Sequence, residues 1–172
     1  MELTGKRIAI LAEDNYEDLE LLYPLLRMKE AGAMVSVVGM SGVEAYTSKH
    51  GYPVKVDIAA SAALGERFDA VIIPGGYAPD RMRRHPPMLD LVRRVFERGG
   101  IVAMICHAGW VPISAGILDG KKVTSTPAIK DDLINAGAQW VDMEVVQDGN
   151  LISSRNPGDL PVFCQTIIAA LA

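Results

Sequence analysis

The chain has 172 residues, 49% hydrophobic and 22% charged, which is an ordinary globular composition with length for one domain and a sizeable core. A net charge of −4 argues against nucleic acid as a main partner, and no apolar run approaches a membrane span. Two cysteines, Cys106 and Cys164, give no disulfide framework, and Glu13-Asp14 comes too early for a signal peptide, so a reducing cytoplasm is the expected location.

Arg7–Ala12 reads as a first buried strand. Asn15 suits a helix cap, and Glu17, Asp18 and Glu20 load the next turn with acid. Leu21, Leu22, Leu25, Leu26 and Met28 mark the helix's apolar face, Pro24 interrupts its hydrogen bonding, and Gly32 stops it. Val35–Val38 is a second strand. In Ala45–Asp57, Tyr46, Val54 and Val56 alternate with polar residues around Gly51, which predicts a small β excursion beside the main sheet. Ser61–Phe68 is a short helix at best. Ala70–Ile73 is a buried strand closed by Pro74-Gly75-Gly76, whose glycines can turn backbone N–H groups toward a ligand.

Pro79 suits a first helical turn, and Leu89–Glu97 is a helix stopped by Gly99-Gly100. Lys122–Ser125 is a further strand, and Pro127 opens a helix over Ile129–Asn135. Asp148-Gly149-Asn150 joins Glu144–Gln147 to Leu151–Ser154 as a hairpin. Asp159 caps a last helix from Leu160. Strands alternate with helices, so the fold is α/β with a mostly parallel sheet, read as a single domain over residues 1–172.

Ile101–Trp110 carries the chemistry. Five apolar residues end at Cys106-His107, and helical spacing resumes at Trp110. This is strand, sharp turn, helix, with a thiol at the carboxyl end of a parallel strand, where open α/β sheets bind ligands. A helix N-terminus and the neighbouring His107 both favour thiolate there, so a lowered thiol pKa is expected. The same residue also reads as a small buried hydrophobe. The esterase elbow wants Gly two positions either side of its nucleophile; Met104 and Ala108 fill those positions.

Several runs together resemble the ThiJ/PfpI superfamily, most closely its PfpI-like branch. They are Glu17-Asp18-Leu19-Glu20-Leu21-Leu22-Tyr23-Pro24, Pro74-Gly75-Gly76-Tyr77-Ala78-Pro79-Asp80-Arg81, Ile105-Cys106-His107, Ile129–Gly137 and Ser153-Ser154-Arg155. The resemblance implies a flavodoxin-like three-layer sandwich with the cysteine on a nucleophile elbow, and a homodimer or hexamer. It assigns Cys106 as nucleophile, His107 as its adjacent histidine and Glu17 as the acid hydrogen-bonded to sulfur. Asp80, where relatives carry Glu, would orient the histidine from a neighbouring subunit. Gly76 and His107 would supply oxyanion N–H groups, and Thr126 stands where relatives often carry a ring near the pocket. Read from the residues alone, Glu17 and Asp80 are better taken as solvated first-turn acids that favour a helix dipole.

The function implied is a cysteine-dependent hydrolase or lyase acting on α-oxoaldehydes such as methylglyoxal, or on early glycation adducts. An intracellular peptidase using Cys106, His107 and Asp80 is one alternative, and a redox-sensing, chaperone-like stress protein with an oxidisable Cys106 is another. Glutamine amidotransfer is rejected, because no His follows His107. No cofactor is expected, and His50 and His85 lie in loops without a partner at metal-ligand spacing. Cys164 reads as core. Arg81, Arg83, Arg84, Arg93 and Arg94 outline a basic face, and Pro157-Gly158 is a pocket rim or a turn into the last helix.

Overall fold

The computed structural model describes residues 1–172. In chain order the elements are β1 (Arg7–Leu11), α1 (Asp18–Glu30), β2 (Met34–Gly39), β3 (Ala45–Thr47), β4 (Pro53–Lys55), β5 (Ile58–Ala59) and α2 (Ala60–Ala63). There follow β6 (Ala70–Ile73), α3 (Ala78–Met82), α4 (Pro86–Glu97), β7 (Ile101–Ile105) and α5 (Trp110–Ala115). The chain closes with β8 (Lys122–Val123), α6 (Lys130–Asn135), β9 (Gln139–Trp140), β10 (Val145–Asp148), β11 (Leu151–Ser154) and α7 (Leu160–Leu171).

Seven strands form the central sheet in the order β10-β11-β7-β6-β1-β2-β5. All its pairings are parallel except β10 with β11, joined by the expected Asp148-Gly149-Asn150 hairpin. β6 and β7 are buried along their whole length, as their unbroken apolar sequences require. The chain leaves β1 toward β2 on one side, and the later strands β6, β7 and β11 build outward on the other. The switch point lies between β1 and β6, where a doubly wound sheet opens a crevice at its carboxyl edge. Register places Ile10 beside Ile72 and Ile73 beside Met104, so the loops after β1, β6 and β7 emerge side by side.

The β excursion is the antiparallel hairpin β3–β4, and it is latched to the loop after β1. Asn15 N–H donates to Thr47 O, Lys49 N–H to Tyr16 O, and Thr47 N–H to Asp14 Oδ1. The buried Tyr16 ring reaches through, and its hydroxyl donates to Tyr52 O at 2.6 Å.

Several local expectations shift. Glu17, not Asn15, caps α1: its carboxylate accepts Glu20 N–H at 3.0 Å, while Asn15 takes a left-handed φ of 63°. Leu26 of the expected apolar face is 66% exposed. The strand expected over Lys122–Ser125 shortens to β8, which pairs outside the main sheet with β9. Asp159 does not cap α7; its carboxylate holds Arg155. Pro157-Gly158 forms a 3-10 turn leading into α7.

Removing the hydroxyl that fixes the hairpin, by Tyr16→Phe, is expected to cost about 1 kcal/mol in urea unfolding. An unchanged midpoint would mean the latch carries no stability.

Candidate active site

Strand β7 delivers Cys106 to the carboxyl edge of the sheet. Ile105 is still extended, and Cys106 then takes φ 62°, a left-handed value that a side chain with Cβ adopts at a cost on the order of 1–2 kcal/mol. A 3-10 turn over Cys106–Gly109 follows before α5. The elbow is therefore present without flanking glycines. With only one 3-10 turn and six helical residues behind it, the helix dipole contributes little.

What faces the sulfur is backbone. The amides of His107 and Gly76 point at Cys106 and favour its thiolate. Gly76 holds φ 80° because loop 15–17 packs directly on it: a Cβ would meet Glu17 N at 2.5 Å and Asn15 O at 2.7 Å. An antiparallel bridge between Tyr16 and Gly76 ties these two loops together. The Nδ1 of His107 lies 3.3 Å from the sulfur, and its ring meets Trp110 edge-on at 5.6 Å.

The acid beside the sulfur is Glu20, which corrects the assignment of Glu17. Three residues make nearly one helical turn. Glu17 spends its carboxylate on the cap, while Glu20, fully buried, points into the crevice. Its Oε2 accepts Gly75 N–H at 2.8 Å, and Oε1 has no hydrogen-bond partner. Gly75 has to be glycine: a Cβ would lie 2.5 Å from Glu20 Oε2 and 2.9 Å from Cys106 Cβ.

Burial raises the Glu20 carboxyl to about 7, helped by the charge of Glu17 and opposed by the Gly75 amide, the Cys106 thiol and Lys49. Burial also raises Cys106, and the charge of Glu20 raises it further; the two amides pull the other way, leaving the thiol at about 12. The expected lowering of the thiol is therefore not what the site shows. Sulfur and carboxyl compete for negative charge. Thiolate is favoured when Glu20 is protonated, because the repulsion is then gone and the carboxyl carries a hydrogen to donate. His107 is lowered by burial and then by Lys49, which keeps its ring neutral at pH 7 and able to accept a proton. Lys49, on the β3–β4 turn, carries no marker in the sequence; only the latch brings it near.

Asp80 and His107 line one cleft of about 450 Å³ with Asn15, Gly76, Tyr77, Arg81 and Trp110. Asp80 makes no hydrogen bond to His107 of its own chain and pairs with Arg84 at 3.2 Å. Thr126 sits beside the elbow, its N–H donating to Cys106 O at 3.3 Å. Cys164 is buried in the core. His85 pairs with the buried Glu13 at 2.8 Å. His50 bonds Asp18 at 2.8 Å, and with Glu17 these groups come within 4.8 Å, a proximity that sequence spacing hid.

The fold and site define a doubly wound α/β protein with a cysteine on a strand–turn–helix elbow. The model of the DJ-1/PfpI family matches residues 6–170. The deglycase PfpI of Pyrococcus furiosus is 45% identical over 166 residues, covering 96% of this chain and 99% of the relative. YraA of Bacillus subtilis, named as a candidate cysteine protease, is 39% identical, covering 92% of this chain and 94% of YraA. Drosophila melanogaster DJ-1beta superposes with a TM-score of 0.92 at 32% identity, covering 98% of this chain and 91% of that one. The chain belongs to the DJ-1/PfpI family, on its PfpI-like branch.

The Glu20 carboxyl has a pH consequence for stability. Its folded value of about 7 exceeds the ordinary 4.5, so the folded state binds the proton more tightly. The stabilisation is complete below pH 4.5 and is lost as pH rises through 7, a swing of about 3 kcal/mol. Glu20→Gln is expected to abolish that swing in urea melts from pH 4 to 9; an identical pH dependence in both proteins would place the titration elsewhere.

Proposed function

We propose that the chain is a cysteine-dependent hydrolase acting on α-oxoaldehydes such as methylglyoxal and on their early adducts with protein amines. The observation that supports it most is the convergence on one sulfur of two backbone N–H groups, a neutral imidazole and a buried carboxyl. That set suits addition to a small electrophilic carbonyl and needs no metal or cofactor in any step below.

The Cys106 thiol gives its proton to His107 Nδ1, and the sulfur attacks the aldehyde carbon. The C–S bond forms, the carbonyl electron pair moves to oxygen, and the Gly76 and His107 amides hold that oxygen. The imidazolium gives that proton to the oxygen, and the again-neutral His107 moves the proton of the hemithioacetal carbon to the neighbouring carbonyl carbon while the hydroxyl proton passes to that carbonyl's oxygen, giving a thioester of the hydroxy acid. Water cleaves the thioester and returns the thiol, so aldehyde plus water becomes hydroxy acid. With an amine adduct as substrate, sulfur displaces the amine, which leaves with the proton that His107 took from the thiol. Glu20, while it holds its proton, puts no negative charge beside the sulfur and so lowers the cost of the thiolate.

The name of the YraA relative supports a peptidase reading. The same groups would perform acyl transfer, but the cleft around His107, about 450 Å³, suits a small substrate better. A panel of methylglyoxal, a glycated peptide and casein decides between them. Methylglyoxal or the glycated peptide should turn over, and Cys106→Ala should reduce that to background. His107→Gln should lower kcat by about 10²- to 10⁴-fold with little change in KM. Casein cleavage that depends on Cys106, with neither other substrate consumed, would overturn the reading.

Asp80, exposed and unbonded to its own His107, fits the role of orienting His107 of a neighbouring subunit. The dead variants Cys106→Ala and Asp80→Ala, mixed and reassembled, should then recover partial turnover. No recovery would confine Asp80 to its own chain.

A further inference from the structure

A second cavity adjoins the reactive cleft and shares Trp110 with it. It measures about 390 Å³ and is lined by Arg83, Trp110, Ile113, Asp132, Asn135 and Ala136. Nothing in the proposed chemistry uses it, because a three-carbon aldehyde is already contained by the cleft around His107.

Two members of the arginine cluster meet no carboxylate: Arg94, which donates to Leu64 O at 3.1 Å, and Arg83, which alone of the two faces a cavity. Arg84 pairs with Asp80, Arg93 with Asp90, and Arg81 approaches Asp14. Arg83 meets no carboxylate within the chain. Its Nε donates to Ser114 Oγ at 2.9 Å, and its guanidinium lies over the Trp110 ring at 5.8 Å. The plane is thus fixed from one edge and one face, while the two terminal nitrogens have no partner. A guanidinium held this way presents the paired donors that match a carboxylate. Asp132 in the same cavity is held too, its Oδ2 accepting the Trp110 indole N–H at 2.8 Å. It makes no ion pair with Arg83, so a cation and an anion stand fixed and unpaired across one indole.

We infer that this cavity is a subsite for the zwitterionic head of an α-amino acid, with the carboxylate on Arg83, the ammonium on Asp132 and the side chain laid across Trp110 toward His107 and Cys106. The inference rests on the deglycase reading and narrows its substrate. The preferred adduct is carried by a free basic amino acid such as lysine, whose aliphatic stem can lie on the indole and bring its modified side-chain nitrogen to the sulfur. A neutral or singly charged aldehyde has no use for either ion. The Asp132 charge also disfavours a purely anionic ligand such as inorganic phosphate.

Calorimetric titration of the whole protein with unmodified ligands tests this without turnover. L-lysine is expected to bind, and lysine amide, Nα-acetyl-lysine and butylamine each to bind about ten- to a hundred-fold more weakly. Arg83→Met should erase the difference between lysine and lysine amide. Asp132→Asn, which keeps an acceptor for the indole, should erase that between lysine and Nα-acetyl-lysine. Equal binding of all four ligands to the unaltered protein, no lysine binding, or unchanged discrimination in either variant would overturn the subsite. The ligand series alone decides if a variant does not fold. Lysine binding without methylglyoxal turnover would sink the proposed activity and keep the subsite; turnover without lysine binding would do the reverse.

Discussion

The site depends on one buried carboxyl. Glu20 is wholly out of water and is held at one oxygen by the Gly75 amide; its other oxygen has no hydrogen-bond partner, and the carboxyl as a whole neighbours the Cys106 thiol. Desolvation makes charge on this carboxyl expensive, and charge on the neighbouring sulfur is expensive for the same reason. The two groups cannot both be anionic at low cost, so one proton serves both. The His107 and Gly76 amides lower the cost of charge on sulfur but do not cancel it, so the carboxyl ionises before the thiol. The nucleophile is governed by the charge state of this acid and by backbone dipoles, with little help from a helix axis or a neighbouring cation.

Close backbone approach is what permits this arrangement. A side chain at Gly75 would displace Glu20 or Cys106, and one at Gly76 would strike the loop that begins α1. The left-handed conformation of Cys106 stores strain that the surrounding strands hold in place, since β7 is paired on both sides by β6 and β11. The hairpin β3–β4 contributes from outside the sheet. Its bonds to loop 14–16 fix the segment that packs on Gly76, and its turn carries Lys49 toward His107.

Much of this was legible in the sequence. The unbroken apolar runs located β6 and β7, the break at Cys106-His107 located the elbow, and Pro74-Gly75-Gly76 located the turn that faces it. The motifs around Glu17, Gly75-Gly76 and Cys106-His107 also pointed to the family to which the chain belongs. Two kinds of information were not legible. One is helical phase at a helix start. Glu17 and Glu20 are both acids in the same opening turn, and only the position of the cap decides which carboxyl turns back to the backbone and which points inward. The other is electrostatic balance. A cysteine at a turn suggests a lowered thiol, but the burial of Cys106 and the identity of its acid neighbour exist only in three dimensions. Arg83 was likewise one of five arginines until the fold set its guanidinium against Ser114 and Trp110 with no carboxylate in reach.

Glu20 holds a proton beside the Cys106 sulfur below pH 7. Infrared difference spectroscopy, wild type minus Glu20→Gln, reads that proton directly through the carbonyl stretch of a protonated carboxyl. A band should be present at pH 5, fade as pH rises through about 7, and shift when Cys106 is alkylated. Absence of the band at pH 5, or a band indifferent to alkylation, would contradict the account.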